Sequence, residues 1–170
     1  MPLLAFDSST DHLSIAVQHG AQVWLYDGPG GAQASATLVP HILALLGHAG
    51  LALPELQAVV FGQGPGSFTG LRTACAIAQG LAWGAGVPVL PVPPSCRAKY
   101  ATGKGNAGKD EVLLAVARRY PHAPVGGNDE ADALVLAAMG ARLLGEPVED
   151  SLPKAHLDAL AKLALPTSGP

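Results

Sequence analysis

Short apolar runs separated by turn-forming residues dominate the first thirty positions. Residues 3–7, Leu-Leu-Ala-Phe-Asp, predict a buried strand that ends in an acid. Apolar and smaller or polar side chains alternate over 13–17, which predicts a second strand. A turn at Gly20 leads into a third strand over 23–26, and the Gly-Pro-Gly-Gly run at 28–31 ends it. The pattern therefore predicts a three-stranded meander.

A helical period follows the meander. Apolar residues recur at helical spacing over 35–49, where Ser35 is a plausible N-cap and Gly50 follows the end. The remainder of this half predicts a strand, a helix of small residues and a strand, over 58–61, 68–85 and 87–92. Meander, helix, strand, helix, strand is the order of the RNase H-like fold, in which the later strands run parallel through right-handed crossovers.

The second half supplies closing helices. Helical patterns cover 109–120 and 129–144, with a turn over 121–128 between them, and a last helix covers about 153–164. The sequence predicts one α/β RNase H-like domain over 1–166, with a five-stranded mixed sheet and helices on both faces. Its two halves, 1–94 and 95–166, meet near residue 94, and the tail 167–170 is expected to be disordered.

Composition narrows the class of protein. Hydrophobic residues make up 49% of the 170 residues and charged residues 14%, which excludes a disordered chain. The net charge of −3 gives no overall attraction to nucleic acid. Cys75 and Cys96 are too few for a disulfide framework and are expected to be reduced core residues. No basic segment precedes the first apolar run, and no run reaches about 18 apolar residues, so a cytoplasmic protein without a membrane span is expected.

Basic residues are concentrated in the second half. Residues 1–94 contain no lysine and only Arg72, whereas six basic residues fall within 97–119. This strip is either a solvated loop and helix face or a surface for phosphates. The nucleic-acid candidates within it are Lys99, Lys104 and Lys109.

Two motifs in the first half carry a specific resemblance. The segments 3–10, Leu-Leu-Ala-Phe-Asp-Ser-Ser-Thr, and 61–72, Phe-Gly-Gln-Gly-Pro-Gly-Ser-Phe-Thr-Gly-Leu-Arg, together with 78–84, Ala-Gln-Gly-Leu-Ala-Trp-Gly, resemble the TsaB family. The resemblance implies a lobe of the actin-like ATPase superfamily and a non-catalytic role beside TsaD in making threonylcarbamoyladenosine on tRNA. It also implies pairing, with a second copy or a TsaD-like partner, through helices 35–49 and 68–85.

The chemistry of the residues in these motifs also suggests roles that do not depend on the resemblance. Three hydroxyl residues follow Asp7, namely Ser8, Ser9 and Thr10. They are weak cofactor-binding candidates that could help to hold a metal or phosphate. The alternative is that they only cap a turn. The glycine-rich run 62–66 either cradles a phosphate at the next helix or makes a tight turn with close packing. It lacks the lysine of a Walker A loop.

A different resemblance begins at residue 94. The segment 94–112, Pro-Ser-Cys-Arg-Ala-Lys-Tyr-Ala-Thr-Gly-Lys-Gly-Asn-Ala-Gly-Lys-Asp-Glu-Val, and the segment 128–134, Asn-Asp-Glu-Ala-Asp-Ala-Leu, resemble phage-type RuvC Holliday-junction resolvases. That family implies a nuclease site of four acids that hold two Mg²⁺ or Mn²⁺ ions. Carried over, Asp7, Asp129 and Asp132 are the catalytic and metal-ligating candidates, with Glu130 as a further metal ligand.

This second resemblance is incomplete. The family places a glutamate at the end of the fourth strand, and neither Phe61 nor Gly62 is acidic. Asp129 and Glu130 also suit a helix N-terminus, where the dipole favours negative charge, without any metal. The six histidines show no ligand spacing in the sequence and are expected in core or surface roles (His12, His19, His41, His48, His122 and His156).

Three functions follow from these patterns. The two resemblances in one chain predict a chimera of two parents that share a fold. The first function is a TsaB-like binding lobe, and the second is a chimeric scaffold without activity. The third is a Mg²⁺-dependent nuclease acting on branched DNA, impaired by the missing glutamate.

Overall fold

The computed structural model describes residues 1–165 and contains a five-stranded sheet in the order β3-β2-β1-β4-β5. β1 pairs antiparallel with β2, and β2 antiparallel with β3, whereas β1, β4 and β5 run parallel. This confirms the mixed sheet expected from the sequence. The strands are β1 Pro2–Asp7, β2 His12–His19, β3 Gln22–Pro29, β4 Val59–Gly62 and β5 Val89–Val92.

Six α-helices accompany the sheet in the described part of the chain. In chain order they are α1 Ala34–His48, α2 Phe68–Ala85, α3 Pro94–Thr102, α4 Lys109–Arg119, α5 Asn128–Leu143 and α6 Lys154–Leu157. None of the described helices is long and apolar enough to cross a membrane. The tail expected to be disordered, 167–170, lies outside the described residues.

The two faces of the sheet are covered by different halves of the chain. In β1, Leu4 and Phe6 point into a core shared with α1 and α2. Leu3 and Ala5 point to the opposite face, into a core shared with α3, α4 and α5. α5 packs directly across β1, β2, β3 and β4. The first half thus supplies all five strands and one helical layer, and the second half supplies the other helical layer.

Some predicted elements differ from the observed ones. α3 was not expected, although Pro94 at its first position and Gly103 just after its end are helix-boundary residues. β5 starts at Val89 rather than 87, because the Val87 N–H bonds back to Ala82 and closes the end of α2. The helix expected over 153–164 is limited to α6 and a 3₁₀ turn over Asp158–Leu160.

The cysteines also depart from the expectation in part. Cys75 and Cys96 are both free, as expected, but each is half-buried rather than fully enclosed in a core. They lie on opposite sides of the sheet, since Cys75 packs with the α1–α2 core and Cys96 with the α3–α5 core.

Candidate functional site

Three of the predicted acids meet at one edge of the sheet. Asp7 is the last residue of β1, and its side chain points to the face covered by α5. Asp129 and Asp132 lie in the first turns of α5. All three line one small cavity of about 70 Å³, so the structure brings together residues that are more than 120 positions apart in the sequence.

A guanidinium group lies between two of these acids. Arg97, on α3, donates from Nη1 to Asp7 Oδ2 at 2.7 Å, and its Nε lies 3.4 Å from Asp132 Oδ1. All three side chains are buried, at 7–8% residue exposure. The sequence grouped Arg97 with a solvated basic strip, and for this residue that interpretation is wrong. Its single charge is shared by two carboxylates, which leaves the buried trio with an excess of negative charge.

The surroundings of Asp132 change its acidity. Burial raises the pKa of Asp132 to about 6, and the negative charge of Asp7 adds to this, while Arg97 acts in the opposite direction. Asp132 therefore takes up a proton in mildly acidic solution.

The end of β4 brings no fourth acid to this edge. A Cβ placed on Gly62 would lie 2.3 Å from Asp7 Oδ2 and 3.2 Å from Arg97 Nη1. A glutamate at this position would require both side chains to move. With Arg97 in contact with two of the acids and glycine in place of the fourth, the residues present do not fit a two-ion nuclease centre. A metal-ligating role for Asp7, Asp129, Glu130 and Asp132 stays a prediction.

Asp129 and Glu130 make their contacts with groups other than Arg97. Asp129 Oδ1 lies 3.9 Å from Lys109 Nζ, and its Oδ2 lies 3.8 Å from His12 Nδ1. Glu130 accepts a hydrogen bond from the backbone N–H of Gly126, just before the helix. This placement agrees with the alternative in which acids favour the first turn of a helix.

Ser9 and Thr10 are occupied by local hydrogen bonds. The Ser9 backbone N–H donates to Asp7 Oδ1 at 2.9 Å, and its hydroxyl bonds to the same oxygen. Thr10 Oγ1 accepts from the His12 N–H at 3.1 Å. These bonds are those of a capped turn. The hydroxyl of Ser8 is buried and has no partner among the described residues.

The glycine-rich run makes a close backbone contact. A Cβ on Gly66 would lie 1.7 Å from the Ser9 carbonyl oxygen, so only glycine fits there. The next residue, Ser67, is the N-cap of α2 and accepts from the Gly70 N–H at 3.0 Å. Both observations favour the tight turn with close packing over the phosphate cradle.

The three candidate lysines differ in their contacts and burial. Lys104 pairs with Glu111 at 3.3 Å on an exposed face, and Lys109 lies near Asp129. Lys99 is half-buried on α3. Their role in nucleic-acid binding stays a prediction.

Sequence reasoning missed a second polar cluster on the same face. Glu149 accepts from the hydroxyls of Tyr100 and Tyr120 and pairs with Arg142 at 3.1 Å. Burial, followed by the charge of Glu149, raises the pKa of both tyrosines. Through these hydrogen bonds the segment after α5, which contains Glu149, contacts α3 and the end of α4. No spacing rule links these residues, because they come from four separate segments.

The outer surface of α1 and α2 is unusually apolar. Trp83 is 89% exposed and Phe68 69% exposed on α2, and Leu43 is 50% exposed on α1. Arg72 lies over the Phe68 ring at 4.2 Å from its centroid. Among the described residues, none of these three side chains belongs to the apolar core that α1 and α2 form against the sheet.

Comparisons with known proteins agree with both resemblances. The chain is 39% identical to the tRNA threonylcarbamoyladenosine biosynthesis protein TsaB of Haemophilus influenzae, over 54% of this chain and 39% of that protein. It is 40% identical to the crossover junction endodeoxyribonuclease RuvC of Anaeromyxobacter dehalogenans, over 55% of this chain and 50% of that protein. The chain thus spans half or less of the length of each of these relatives.

A solved structure supports the fold over most of the chain. RuvC of Thermus thermophilus superposes with a TM-score of 0.61 and 21% identity, covering 86% of this chain and 98% of that one. This confirms the RNase H-like fold. A family model described as TsaD, tRNA N6-adenosine threonylcarbamoyltransferase, matches residues 31–122. Because that range is more than half of the chain, the chain belongs to the TsaD family.

Proposed function

We propose that the chain is a TsaB-like binding lobe that pairs through α1 and α2 with a TsaD-like partner. The pathway is the cytoplasmic synthesis of threonylcarbamoyladenosine on tRNA, and the lobe itself performs no catalysis. The observation that carries this proposal is the exposure of Trp83, together with Leu43 and Phe68, on the outer surface of two neighbouring helices.

Exposed aromatic residues of this kind are characteristic of interfaces. A tryptophan that is 89% exposed leaves a large apolar area in water, and burial of such area is the main favourable term in association. Tryptophan is also enriched among the residues that contribute most to binding energy. The identity of the partner is supported by the family model and by the TsaB relative, since the model's range contains both helices.

The non-catalytic part of the proposal has separate support. The only predicted catalytic residues are the acids at the end of β1 and the start of α5. Arg97 neutralises part of their charge and contacts two of them directly. A guanidinium in contact with both carboxylates competes with a metal ion for their oxygens.

The test measures complex formation with purified TsaD. Light scattering after size exclusion is expected to show a one-to-one complex, and Trp83→Ala is expected to weaken it by about 30-fold, in the range of a hot-spot residue. Leu114→Ala is the matched control, because Leu114 is 51% exposed on α4, on the other face of the sheet. A monomer that ignores TsaD, or a homodimer that excludes it, would overturn the proposal.

The nuclease alternative has two observations in its favour. Asp7, Asp129 and Asp132 share a cavity, and a relative at 40% identity is named RuvC. Incubation with a four-way DNA junction and Mg²⁺ or Mn²⁺ is expected to give no cleavage. Cleavage that disappears in Asp7→Asn would replace the binding proposal with a nuclease.

The chimeric origin is a further part of the proposal. It is supported by the way the two halves of the chain contribute to the fold. Residues up to 93 form the sheet and one helical layer, and residues from 94 form the other helical layer. If neither TsaD binding nor junction cleavage is found, the remaining function is that of an inactive scaffold.

A further inference from the structure

Three side chains from three elements converge beside, but not within, the Arg97 group. His12 begins β2, Asp27 lies near the end of β3, and Asp129 lies in the first turn of α5. One ligand atom from each lies within 4.8 Å of the other two. His12 and Asp27 are exposed, and Asp129 is half-buried, so the group opens to solvent.

The sheet register explains why these residues meet. Ser14 is opposite Asp27 in the antiparallel pair of β2 and β3. His12 lies two residues before Ser14 and therefore points to the same face as Asp27, on the diagonal. α5 covers this face and begins at Asn128, which places Asp129 over the diagonal pair.

We propose that His12, Asp27 and Asp129 form a binding site for a zinc-class divalent ion. One imidazole nitrogen and two carboxylate oxygens are ligands that Zn²⁺ accepts, and three protein ligands with water completing the shell is a common arrangement. The imidazole favours Zn²⁺ over Mg²⁺, which prefers oxygen ligands alone. Zinc ligands lie about 2.0–2.2 Å from the ion, and the three ligand atoms are already within 4.8 Å of one another, on two exposed side chains and one half-buried side chain.

Local charge also favours a cation at this place. Two carboxylates face each other across the group, and Glu130 follows Asp129 directly. Ligand oxygens of Asp27 and Asp129 lie within 4.8 Å of each other, so the two carboxylates repel when no cation lies between them. The nearest competing cation is Lys109, whose Nζ lies 3.9 Å from Asp129 Oδ1. The ion would replace this weak, exposed ion pair.

The site has a structural consequence. An ion held there links the end of the β2–β3 hairpin, from the first half of the chain, to the start of α5, from the second half. The site shares Asp129 with the four-acid centre that the RuvC resemblance implied, but takes its other two ligands from His12 and Asp27 instead of Asp7 and Asp132.

Titration calorimetry of the full chain with ZnCl₂, and separately with MgCl₂, tests the site. One Zn²⁺ per chain is expected, with much weaker binding of Mg²⁺. His12→Gln and Asp27→Asn are each expected to lower Zn²⁺ affinity by at least about tenfold. Lys109→Gln is expected to raise it, because the competing charge is gone. Co²⁺ as a probe should give visible absorption bands that His12→Gln changes.

Matched controls separate this site from its neighbours. His19→Gln changes a histidine at the other end of β2, and Asp11→Asn removes an acid adjacent to His12 in sequence. Neither is expected to alter Zn²⁺ affinity. The proposal is overturned if Zn²⁺ does not bind, if His12→Gln binds it as well as the parent, or if Asp11→Asn abolishes binding.

Discussion

The two faces of the sheet are stabilised in different ways. The face covered by α1 and α2 has a core of aliphatic and aromatic side chains, and none of the buried charged residues of the described chain lies in it. The face covered by α3, α4 and α5 combines an apolar core with the buried Asp7–Arg97–Asp132 group and the cluster around Glu149. Apolar burial is non-directional, whereas buried ion pairs are stabilising only in one geometry.

This contrast helps to explain how the helices of the second half are positioned on the sheet of the first half. Arg97 reaches from α3 to Asp7, 90 residues earlier, and so makes a polar link between the two halves. A helical layer joined to a sheet from another source needs its position specified, and a buried pair is a means of doing so. Among the described residues, the α1–α2 layer makes no buried ion pair with the sheet. Its polar contacts include the part-buried hydrogen bond between His41 of α1 and Tyr26 of β3, at 3.0 Å.

Breaking the polar link is expected to have the largest effect. Arg97→Met leaves Asp7 and Asp132 buried without a cation, and we expect the free energy of unfolding to fall by about 3–5 kcal/mol. Arg72→Met is the control, since Arg72 is exposed on α2 and its loss is expected to change stability by less than about 0.5 kcal/mol. Urea denaturation measures both. If both variants lost the same free energy of unfolding, the buried ion pair would not distinguish how the two faces of the sheet are stabilised.

The burial of Asp132 also predicts a pH dependence, because it raises the pKa of this carboxyl. Because the folded pKa of Asp132 is about 6 and its ordinary value is 3.8, the folded state binds more protons between these values. Stability from this group is therefore complete below about pH 4 and is lost as the pH rises through 6, by roughly 2–3 kcal/mol. Asp132→Asn cannot titrate, and its melting temperature is expected to fall less than that of the parent between pH 4 and 7. Equal falls in melting temperature for Asp132→Asn and the parent would contradict the assignment of this pH dependence to Asp132.

The Glu149 cluster offers a smaller perturbation on the same face. Glu149→Gln leaves Arg142 without its carboxylate while keeping an acceptor for one tyrosine, so we expect a loss of about 2 kcal/mol. Glu146→Gln is the matched control, because Glu146 pairs only with the exposed N-terminus and should contribute about 0–1 kcal/mol. A loss for Glu149→Gln no larger than for Glu146→Gln would show that the cluster does not fix the segment after α5.

Much of the fold could be predicted from the sequence, and the reasons are local. Alternation over 13–17 and the turn at Gly20 defined the β2–β3 hairpin, and the helix predicted over 68–85 matches α2 from end to end. α3 was missed because its apolar residues are few and its basic residues suggested a solvated strip. Pro94 and Gly103, nine positions apart, were the signal that should have indicated a short helix.

The candidate site could be predicted only in part. The acids Asp7, Asp129 and Asp132 were identified by motif, and the fold brings them to one edge. The burial of Arg97 and the meeting of His12 with Asp27 and Asp129 could not be predicted, because both depend on contacts between distant segments. A sequence pattern predicts which face of a strand or helix a residue lies on. Which residue from a distant segment it contacts there depends on how the elements pack.

The last comparison concerns how closely each helical layer approaches the sheet. Gly140 on α5 touches β4, and a Cβ there would lie 2.7 Å from Val60 Cγ2, whereas a Cβ on Gly80 of α2 would meet nothing within 4 Å. Alanine favours a helix over glycine by about 1 kcal/mol, so Gly80→Ala is expected to stabilise the protein by up to that amount. At Gly140 overpacking of about 1–3 kcal/mol opposes the same gain, and we expect a net loss of about 1 kcal/mol. Denaturation midpoints that shift in opposite directions would show that α5 is seated tightly on the sheet while the outer side of α2 has room for another molecule. A stabilising Gly140→Ala would mean that α5 can move outward without cost, and that its position is not fixed by contact with β4.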